Sequence, residues 1–356
     1  MTAAVEKVPI CGNEAIGEAA IRAGCDCYFG YPITPQNELT AYMAKHMPAH
    51  GRVFIQSESE LAAINMVYGA AVVGKRAMTS SSSPGVSLKQ EGISYLAGSR
   101  LPAVIVNMMR GGPGLGNIGP SQADYFQATR GGGHGDYRTP VLAGDSVQEL
   151  AELTMTAFDL ADIYRTPVLV LGDGVLGQMM EPIVFPEYSP PSLPPKDWAL
   201  TGAAGRKPRM IRSLYLGEGS LRAHNDLLQE IYRRIEEREV RYEDLDCADA
   251  ELIMVAYGIS ARICREVVRR LRGEGLRVGL FRPITLWPFP VRPLAELASP
   301  SRRFLAVEMS EGQMVDDVRL AVNGRAPVGF FGYGGGEVFE VEEVEEAARA
   351  ELEKGI

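Results

Sequence analysis

From residue 8 to residue 186, short apolar runs alternate with segments whose apolar residues recur at helical spacing, and this alternation constrains the fold more tightly than anything else in the chain. It predicts helices over 13–23, 35–47, 58–73, 85–97, 121–128 and 146–164, and strands over 25–30, 52–56, 77–80, 103–108 and 167–171. Strands apolar on both faces must be covered on both faces. The expected architecture is therefore α/β, a parallel sheet with helices on each side. Six prolines between Pro182 and Pro195, then a polar stretch and a charged helix over 221–240, read as a Pro-rich linker and helical arm covering 187–247. The first unit is assigned 1–186. A second α/β unit, 248–356, carries strands at 251–257, 278–282 and 303–308, a helix at 260–272 and an acidic helix near 338–352.

With 356 residues, 46% of them hydrophobic, the chain is long enough for two cores. Its 36 basic and 45 acidic residues give a net charge of −9, the wrong sign for a nucleic-acid or anionic-membrane partner. Residues 1–7 lack a basic-then-apolar leader pattern, and no apolar stretch approaches the ~20 residues of a membrane helix. A cytoplasmic protein is expected. Five cysteines without a CxxC read as reduced thiols, with Cys25 and Cys27 packed in the core. They cannot hold an iron–sulfur cluster on this chain, so any such cluster belongs to a partner.

Open parallel sheets bind ligands beyond the carboxyl ends of their strands. Four consecutive strand ends here carry chemical groups. The first is the rigid turn Gly30-Tyr31-Pro32-Ile33-Thr34-Pro35, where two prolines restrict the backbone around Thr34. Thr34 reads there either as a helix N-cap with Pro35 at the first helical position, or as a hydroxyl aimed at a ligand. Next come Ser57-Glu58-Ser59-Glu60, Thr79-Ser80-Ser81-Ser82-Ser83-Pro84-Gly85 and Arg110-Gly111-Gly112-Pro113-Gly114. Glu60 opens a helix of small and apolar residues expected to be almost entirely buried. It reads as a helix-start acid or as a carboxylate poised to hydrogen-bond a ring nitrogen. Arg110, at the end of an apolar strand, should meet an anion, either a structural acid or a substrate carboxylate.

Two glycine motifs carry less. Residues 114–119 spell GxGxxG, but Arg110-Gly111-Gly112-Pro113 separates the motif from its strand. The acidic residue at dinucleotide-like spacing, Asp136, lies within another glycine run. These glycines are read as allowing close approach of a ligand or a partner chain. Gly172-Asp173-Gly174 is similar to the start of the signature by which thiamine diphosphate enzymes hold Mg²⁺ and the diphosphate. The asparagine that ends that signature is missing, since no Asn occurs between Asn117 and Asn225. Asp173 therefore reads as a turn residue. On this reading the chain does not hold the diphosphate by itself, and no metal ligand is assigned to it.

Together, Tyr31-Pro32-Ile33-Thr34-Pro35, Gln56-Ser57-Glu58-Ser59-Glu60 with Gly69-Ala70, the serine run from Thr79 to Gly85, and Arg110-Gly111-Gly112-Pro113-Gly114 resemble the α subunit of the 2-oxoacid:ferredoxin oxidoreductases. The resemblance extends to Tyr257-Gly258, Arg282-Pro283, Pro288-Phe289-Pro290 and Glu308-Met309-Ser310-Glu311-Gly312-Gln313, which look like the transketolase carboxy-terminal-type domain of that family. It implies a pyrimidine-binding thiamine diphosphate domain followed by a transketolase C-terminal-like domain. The cofactor would be shared with a diphosphate-binding β subunit. Mg²⁺ and [4Fe-4S] clusters would sit on partners, with a γ subunit, a ferredoxin-like iron–sulfur subunit and ferredoxin as acceptor, in a dimer of heteromeric protomers typical of anaerobic metabolism.

The implied reaction is CoA-dependent oxidative decarboxylation of a 2-oxoacid. Carried over by motif, Glu60 contacts the aminopyrimidine, Thr34 lies near the reacting carbonyl and Arg110 receives the substrate carboxylate. Tyr31, Pro32, Thr79 and Ser80 complete the cofactor side. The glycine-rich runs at 111–122 and 131–138 look most similar to the branch acting on 3-methyl-2-oxobutanoate or 2-oxoglutarate. The latter acid needs a second cation, for which His134 and Arg138 are the candidates. Gln36 departs from the family's commoner small residue. A transketolase-like transferase and a non-catalytic partner-binding subunit remain as alternatives. Arg262, Arg265, Arg269, Arg270 and Arg272 read as a solvated helix face, and the tail 337–353 as an exposed amphipathic helix.

Overall fold

The computed structural model describes residues 7–354; residues 1–6, on which most of the leader reading rests, lie outside it. The first part of the chain runs β1 (Val8–Cys11), α1 (Gly12–Arg22), β2 (Cys27–Gly30), α2 (Asn37–Ala49), β3 (Val53–Gln56), α3 (Glu60–Val72), β4 (Ala77–Ser81), α4 (Ser83–Gly98), β5 (Ala103–Met109), α5 (Tyr125–Arg130), β6 (Val141–Ala143), α6 (Val147–Tyr164), β7 (Pro167–Asp173), α7 (Gly174–Gln178) and β8 (Met180–Ile183). The rest comprises α8 (Ser220–Arg238), β9 (Tyr242–Leu245), β10 (Leu252–Val255), α9 (Gly258–Gly273), β11 (Val278–Pro283), β12 (Thr285–Trp287), α10 (Val291–Leu297), β13 (Arg303–Val307), α11 (Met314–Val322), β14 (Val328–Phe331) and α12 (Val341–Glu353).

Seven strands form one sheet in the order β12-β6-β7-β5-β4-β2-β3, parallel except for β12. β5 and β7, both seven residues long and buried throughout, form its centre. α1 packs on α2 and α6, and α3 packs on α4, so a helical layer covers each face. Five strands form the second sheet, β14-β13-β10-β11-β9, with β9 antiparallel at its edge. β1 and β8 pair separately.

The two units interlock more than an arm and a linker would suggest. β9 lies in the stretch read as linker, yet pairs with β11, and β12 of the second unit extends the first sheet beside β6. Neither strand is long or apolar enough to stand out in the sequence. Each forms because a neighbouring edge offers unpaired backbone groups. Arginines on α9 depart from the solvated reading in part. Arg262 pairs with Glu181 at 2.7 Å, and Arg265 reaches Asp145 at 2.7 Å and Glu243 at 2.8 Å, tying α9 to the first unit, while Arg269 stays exposed beside Glu266 of its own helix. α12 is amphipathic as expected, but its Glu351 is buried against Arg303.

α3 also departs from expectation. Leu61, Asn65 and Gly69 line an exposed face at four-residue intervals, with Leu61 47% exposed. Val53 and Ile55 of β3, the edge strand of the sheet, and Leu88 and Tyr95 of α4 are likewise exposed. Among the described residues no helix is long and apolar enough to cross a membrane.

Candidate functional site

β3, β2, β4 and β5 are neighbours in the sheet, so the four chemically loaded strand ends form one continuous strip. At about 4.8 Å per strand the strip is about 14 Å across. The turn after β2 stands at its centre. The Thr34–Pro35 peptide is cis and α2 starts at Asn37 with Gln36 in the cap position, so Thr34 is not the N-cap. Its hydroxyl accepts only a long hydrogen bond, 3.3 Å, from the Asn37 amide, while Asn13 holds the carbonyl of Pro35 at 2.8 Å. Tyr31 and Pro32 are exposed on the outer side of the turn.

Beneath the turn lies a closed polar network. Ser80 Oγ donates to Gln36 Oε1 at 2.5 Å and lies 2.6 Å from the Tyr28 hydroxyl, which in turn meets Thr40. Gln36, fully buried, donates through Nε2 to the carbonyl of Tyr31. A glutamine at this position thus fastens the turn to β4 and α2. Ser80 spends its hydroxyl on that task, and Thr79 is fully buried with no partner for its hydroxyl.

Arg110 meets the turn directly. Its Nη1 donates to the carbonyl of Thr34 at 2.9 Å and its Nη2 to that of Leu115 at 3.0 Å, while Nε is buried without a partner. The structural acid considered for it does not appear among the described residues; carbonyl oxygens hold the buried guanidinium instead. Ser83 accepts from the Arg110 backbone at 3.0 Å and donates to Asp124 at 2.5 Å, and Asn107 also donates to Asp124. Burial pushes the Asp124 carboxyl above its ordinary range, and these two hydrogen bonds offset only part of that.

Glu60 is the first residue of α3, 6% exposed, with Ser59 capping the helix through a 3.1 Å bond from Ala62 N. Strand alternation turns Ser80 toward α2 and the next residue, Ser81, toward α3 and α4. A Cβ on Gly85 would lie 2.6 Å from Glu60 Oε1 and closer still to Ser81 Oγ, so a glycine is required for this approach. Ser81, Ser82 and Lys89 all bury polar atoms without partners here. Buried orphans of this kind are costly in a finished protein, and their convergence with Glu60 marks a place prepared for a polar ligand. The arrangement fits an aminopyrimidine: an acid for a ring nitrogen, hydroxyls for the amino group, and a helix start cleared of side chains.

Other predicted residues lie elsewhere. His134 lines a small cleft of about 190 Å³ with Ser94, Tyr95 and His224. That cleft is nine or ten residues along α4 from Gly85, about 14 Å at helical rise. Arg138 turns to the carbonyl of Arg130. The structure does not bring this pair to Thr34 and Arg110. In the 114–119 loop a Cβ on Gly119 would strike the carbonyl of Gly336, and Asn117 donates to the carbonyl of Gly335. The close approach is made by the chain's own second unit. Asp173 accepts from Val175 N and Leu176 N at 2.9 and 3.1 Å, capping α7, and burial raises its carboxyl to about 6. Glu308 is fully buried and accepts backbone N–H bonds from Gln313, Met314 and Val315, a cap for α11. Lys89 and Asp124 are the site-lining residues that sequence reasoning left out, while Gln36 enters there only as a departure from the family's residue and Ser81 and Ser82 only as members of the serine run. Strand alternation from Ser80 could have exposed Ser81, and a lone lysine on the inner face of α4 could have exposed Lys89.

The geometry agrees with what the chain resembles. The family described as pyruvate flavodoxin/ferredoxin oxidoreductase, thiamine diP-bdg, matches residues 18–239, and pyruvate:ferredoxin oxidoreductase core domain II matches residues 250–344. The ketoisovalerate oxidoreductase subunit VorB of Methanothermobacter thermautotrophicus is 55% identical over 95% of this chain and 96% of its own. The 2-oxoglutarate synthase subunit KorA of the same organism is 36% identical over 95% and 97%. Among solved structures, the 2-oxoglutarate:ferredoxin oxidoreductase from Magnetococcus marinus, with 2-oxoglutarate, coenzyme A and succinyl-CoA bound, superposes with a TM-score of 0.88 at 28% identity. It covers 98% of this chain, which spans 66% of that one. A split-gene transketolase shares the fold at a TM-score of 0.62 and 16% identity. The chain belongs to the 2-oxoacid:ferredoxin oxidoreductase family, as a subunit that carries the thiamine-diphosphate-binding-type domain followed by core domain II.

Proposed function

We propose that this chain supplies the aminopyrimidine half of a thiamine diphosphate site in a cytoplasmic, CoA-acylating 3-methyl-2-oxobutanoate:ferredoxin oxidoreductase, and that a partner subunit supplies the diphosphate half. The observation that carries the reading is the convergence of Glu60, Ser81 and Gly85 beside a turn that Arg110 holds through Thr34. Glu60 would take the ring nitrogen, Ser81 and Ser82 the exocyclic amino group, and Thr34 and Arg110 the keto and carboxylate ends of the acid. The bound cofactor supplies the nucleophilic carbon and the electron sink for decarboxylation. Arg110 keeps Nε without a partner, and its fork suits a carboxylate.

A partner is called for on two counts. The sequence lacks the asparagine that would finish a diphosphate signature, and Val53, Ile55, Leu61 and Leu88 are apolar and exposed on β3, α3 and α4, elements that also carry the site. The β and γ subunits, the iron–sulfur subunit and a dimer of protomers belong to the same proposal, as do Mg²⁺, the clusters and ferredoxin as acceptor. So does a division of labour in which residues 1–186 hold the pyrimidine, 187–247 link, and 248–356 form the transketolase C-terminal-like unit. A branched-chain substrate is favoured over 2-oxoglutarate because His134 and Arg138 lie away from Arg110 and because the ketoisovalerate relative is the more similar.

The test is anaerobic isolation of the tagged chain with its partners, followed by thiamine diphosphate- and CoA-dependent viologen reduction. Activity with 3-methyl-2-oxobutanoate well above that with 2-oxoglutarate, pyruvate or phenylglyoxylate is the expected result. Preference for 2-oxoglutarate overturns the substrate assignment, and no dye reduction by an intact, cofactor-loaded complex overturns the activity.

A further inference from the structure

Lys89 is fully buried, its ammonium has no hydrogen-bond partner, and no role has yet been given to it. A lysine in such a position is costly, because a charge removed from water without a partner is compensated by nothing. Its surroundings suggest what it is for. On α4, Gly85, Lys89 and Gly92 follow one another at four- and three-residue spacing and so lie on one face. That face packs on α3. A Cβ at Gly85 would meet Glu60, and one at Gly92 would meet Ile64, one turn further along the same helix. Lys89 therefore stands between these two contacts. Helical side chains lean toward the helix start, which directs its stem to the Gly85 end, where Glu60, Ser81 and Ser82 converge.

The charged groups on elements packed around α4 are Glu60 of α3, Arg110 at the end of β5, Asp124 before α5 and Asp173 at the end of β7, with His134, Asp136 and Arg138 of the loop against Gln90 and Ser94, His224 of α8 near Gly98, and Glu91 of α4 itself. Glu60 is the one that acts on Lys89, and it does so without an ion-pair contact. Burial pushes the Lys89 ammonium down to about 8 from its ordinary 10.5, against the opposing pull of Glu60. The carboxylate that opposes loss of the Lys89 proton is the same one that the proposed function assigns to a ring nitrogen.

We propose that Lys89 is a positioning residue of the Glu60 pocket, a buried proton store that discharges when a bound ring takes up the charge of Glu60. In that step one N–H bond of the ammonium breaks, the electron pair stays on nitrogen as the amine lone pair and that proton leaves to solvent, while Glu60 takes one proton from solvent and forms an O–H whose hydrogen bond a ring nitrogen can accept, so the pocket's proton count is unchanged in the wild type and rises by one where Lys89 cannot discharge. Discharge leaves the occupied pocket free of an uncompensated cation, so the ring is bound against a neutral floor. The identity of the ring rests on the function proposed above, whereas the coupling between Lys89 and Glu60 does not.

Two measurements test it. In the full chain labelled at lysine side chains, NMR titration should show one lysine titrating near pH 8, absent from the Lys89→Met spectrum. In Glu60→Gln that titration should move lower, with proton affinity reduced about threefold or more. A Lys89 that titrates in the ordinary lysine range, or is indifferent to Glu60→Gln, overturns the proposal. In the assembled complex freed of cofactor, calorimetric titration with thiamine diphosphate and Mg²⁺ near pH 7.5, in buffers of different ionisation heat, counts protons released or taken up. Lys89→Met and Lys89→Arg should take up a substantial fraction of a proton per site more than the wild type. Equal counts overturn the discharge step. If thiamine diphosphate fails to bind the intact complex, the proposed function falls, while the NMR titration still decides whether Lys89 and Glu60 are coupled.

Discussion

Arg110 and Glu60 are legible as single residues because each sits where its chemistry would be wasteful without a ligand. Arg110 turns two of its three guanidinium nitrogens to backbone carbonyls and leaves the third, Nε, unmatched. In the assembled enzyme, Arg110→Ala should lower kcat/KM for the 2-oxoacid about 100-fold or more, since a charge-assisted carboxylate contact is worth roughly 2–3 kcal/mol. Steady-state kinetics across the same four acids check it. Glu60→Gln should leave thiamine diphosphate bound but greatly slow exchange of its C2 proton, followed by NMR. Lys89 makes the opposite trade, stability given up for function. Each tenfold in proton affinity is about 1.4 kcal/mol, so a depression from 10.5 to about 8 corresponds to about 3 kcal/mol. Between about pH 8 and 10.5 an unfolded Lys89 holds more of its proton than the native one, so the Lys89 contribution to stability rises with pH through that window, against the buried thiols and tyrosines, which pull the other way. Lys89→Met should be more stable by up to about 3 kcal/mol below pH 8 and lack that rise, which denaturant melts at pH 7 and 10 would reveal.

At the scale of elements, the loaded strand ends work because the helices after them start without bulk. α4 brings Gly85 against Glu60 and Ser81, and α3 begins at Glu60 itself. Gly85→Ala is favourable for an isolated helix by up to about 1 kcal/mol, yet here the added carbon would push Glu60 and Ser81 out of place. The variant should keep its far-UV circular dichroism while binding thiamine diphosphate at least tenfold more weakly in the complex. Retained affinity would show that the close approach of α3 and α4 is not part of the site. The cap of α2 illustrates a different limit. Thr34 before a proline has the sequence of an N-cap, but Gln36 takes the cap position because its side chain is needed in the network with Ser80 and Tyr28.

The molecule as a whole is held together by buried charge between its units. Arg282, 5% exposed, donates to Glu149 at 2.6 and 3.0 Å and to Glu243 at 2.8 Å, joining β11 to the start of α6 and to β9. Gln122, fully buried, bridges the Tyr257 carbonyl, Ser260 and Met309 N. Removing one partner of such a group leaves the others uncompensated. Arg282→Met should therefore cost about 3–5 kcal/mol in thermal or denaturant unfolding, with the two units losing cooperativity. Glu149→Gln in the same background should restore part of that loss by removing the stranded charge.

Alternating periodicity alone determined the parallel sheet, its helical cover and the order in which ligand-facing turns arrive, because burial on both strand faces admits few other solutions. Motif spacing alone placed Thr34, Glu60 and Arg110 at the first, second and fourth of the loaded strand ends. Tertiary structure decided what those positions share. It fixed which serine of the run faces Glu60, since alternation has no meaning until the sheet's two faces are assigned to helices. It set His134 at the far end of α4, and it turned the glycines at 114–119 toward the chain's own second unit. It also showed that Lys89, a lone lysine on the inner face of α4 in the sequence, has no partner, because an unpaired charge is defined by the neighbours that fail to reach it.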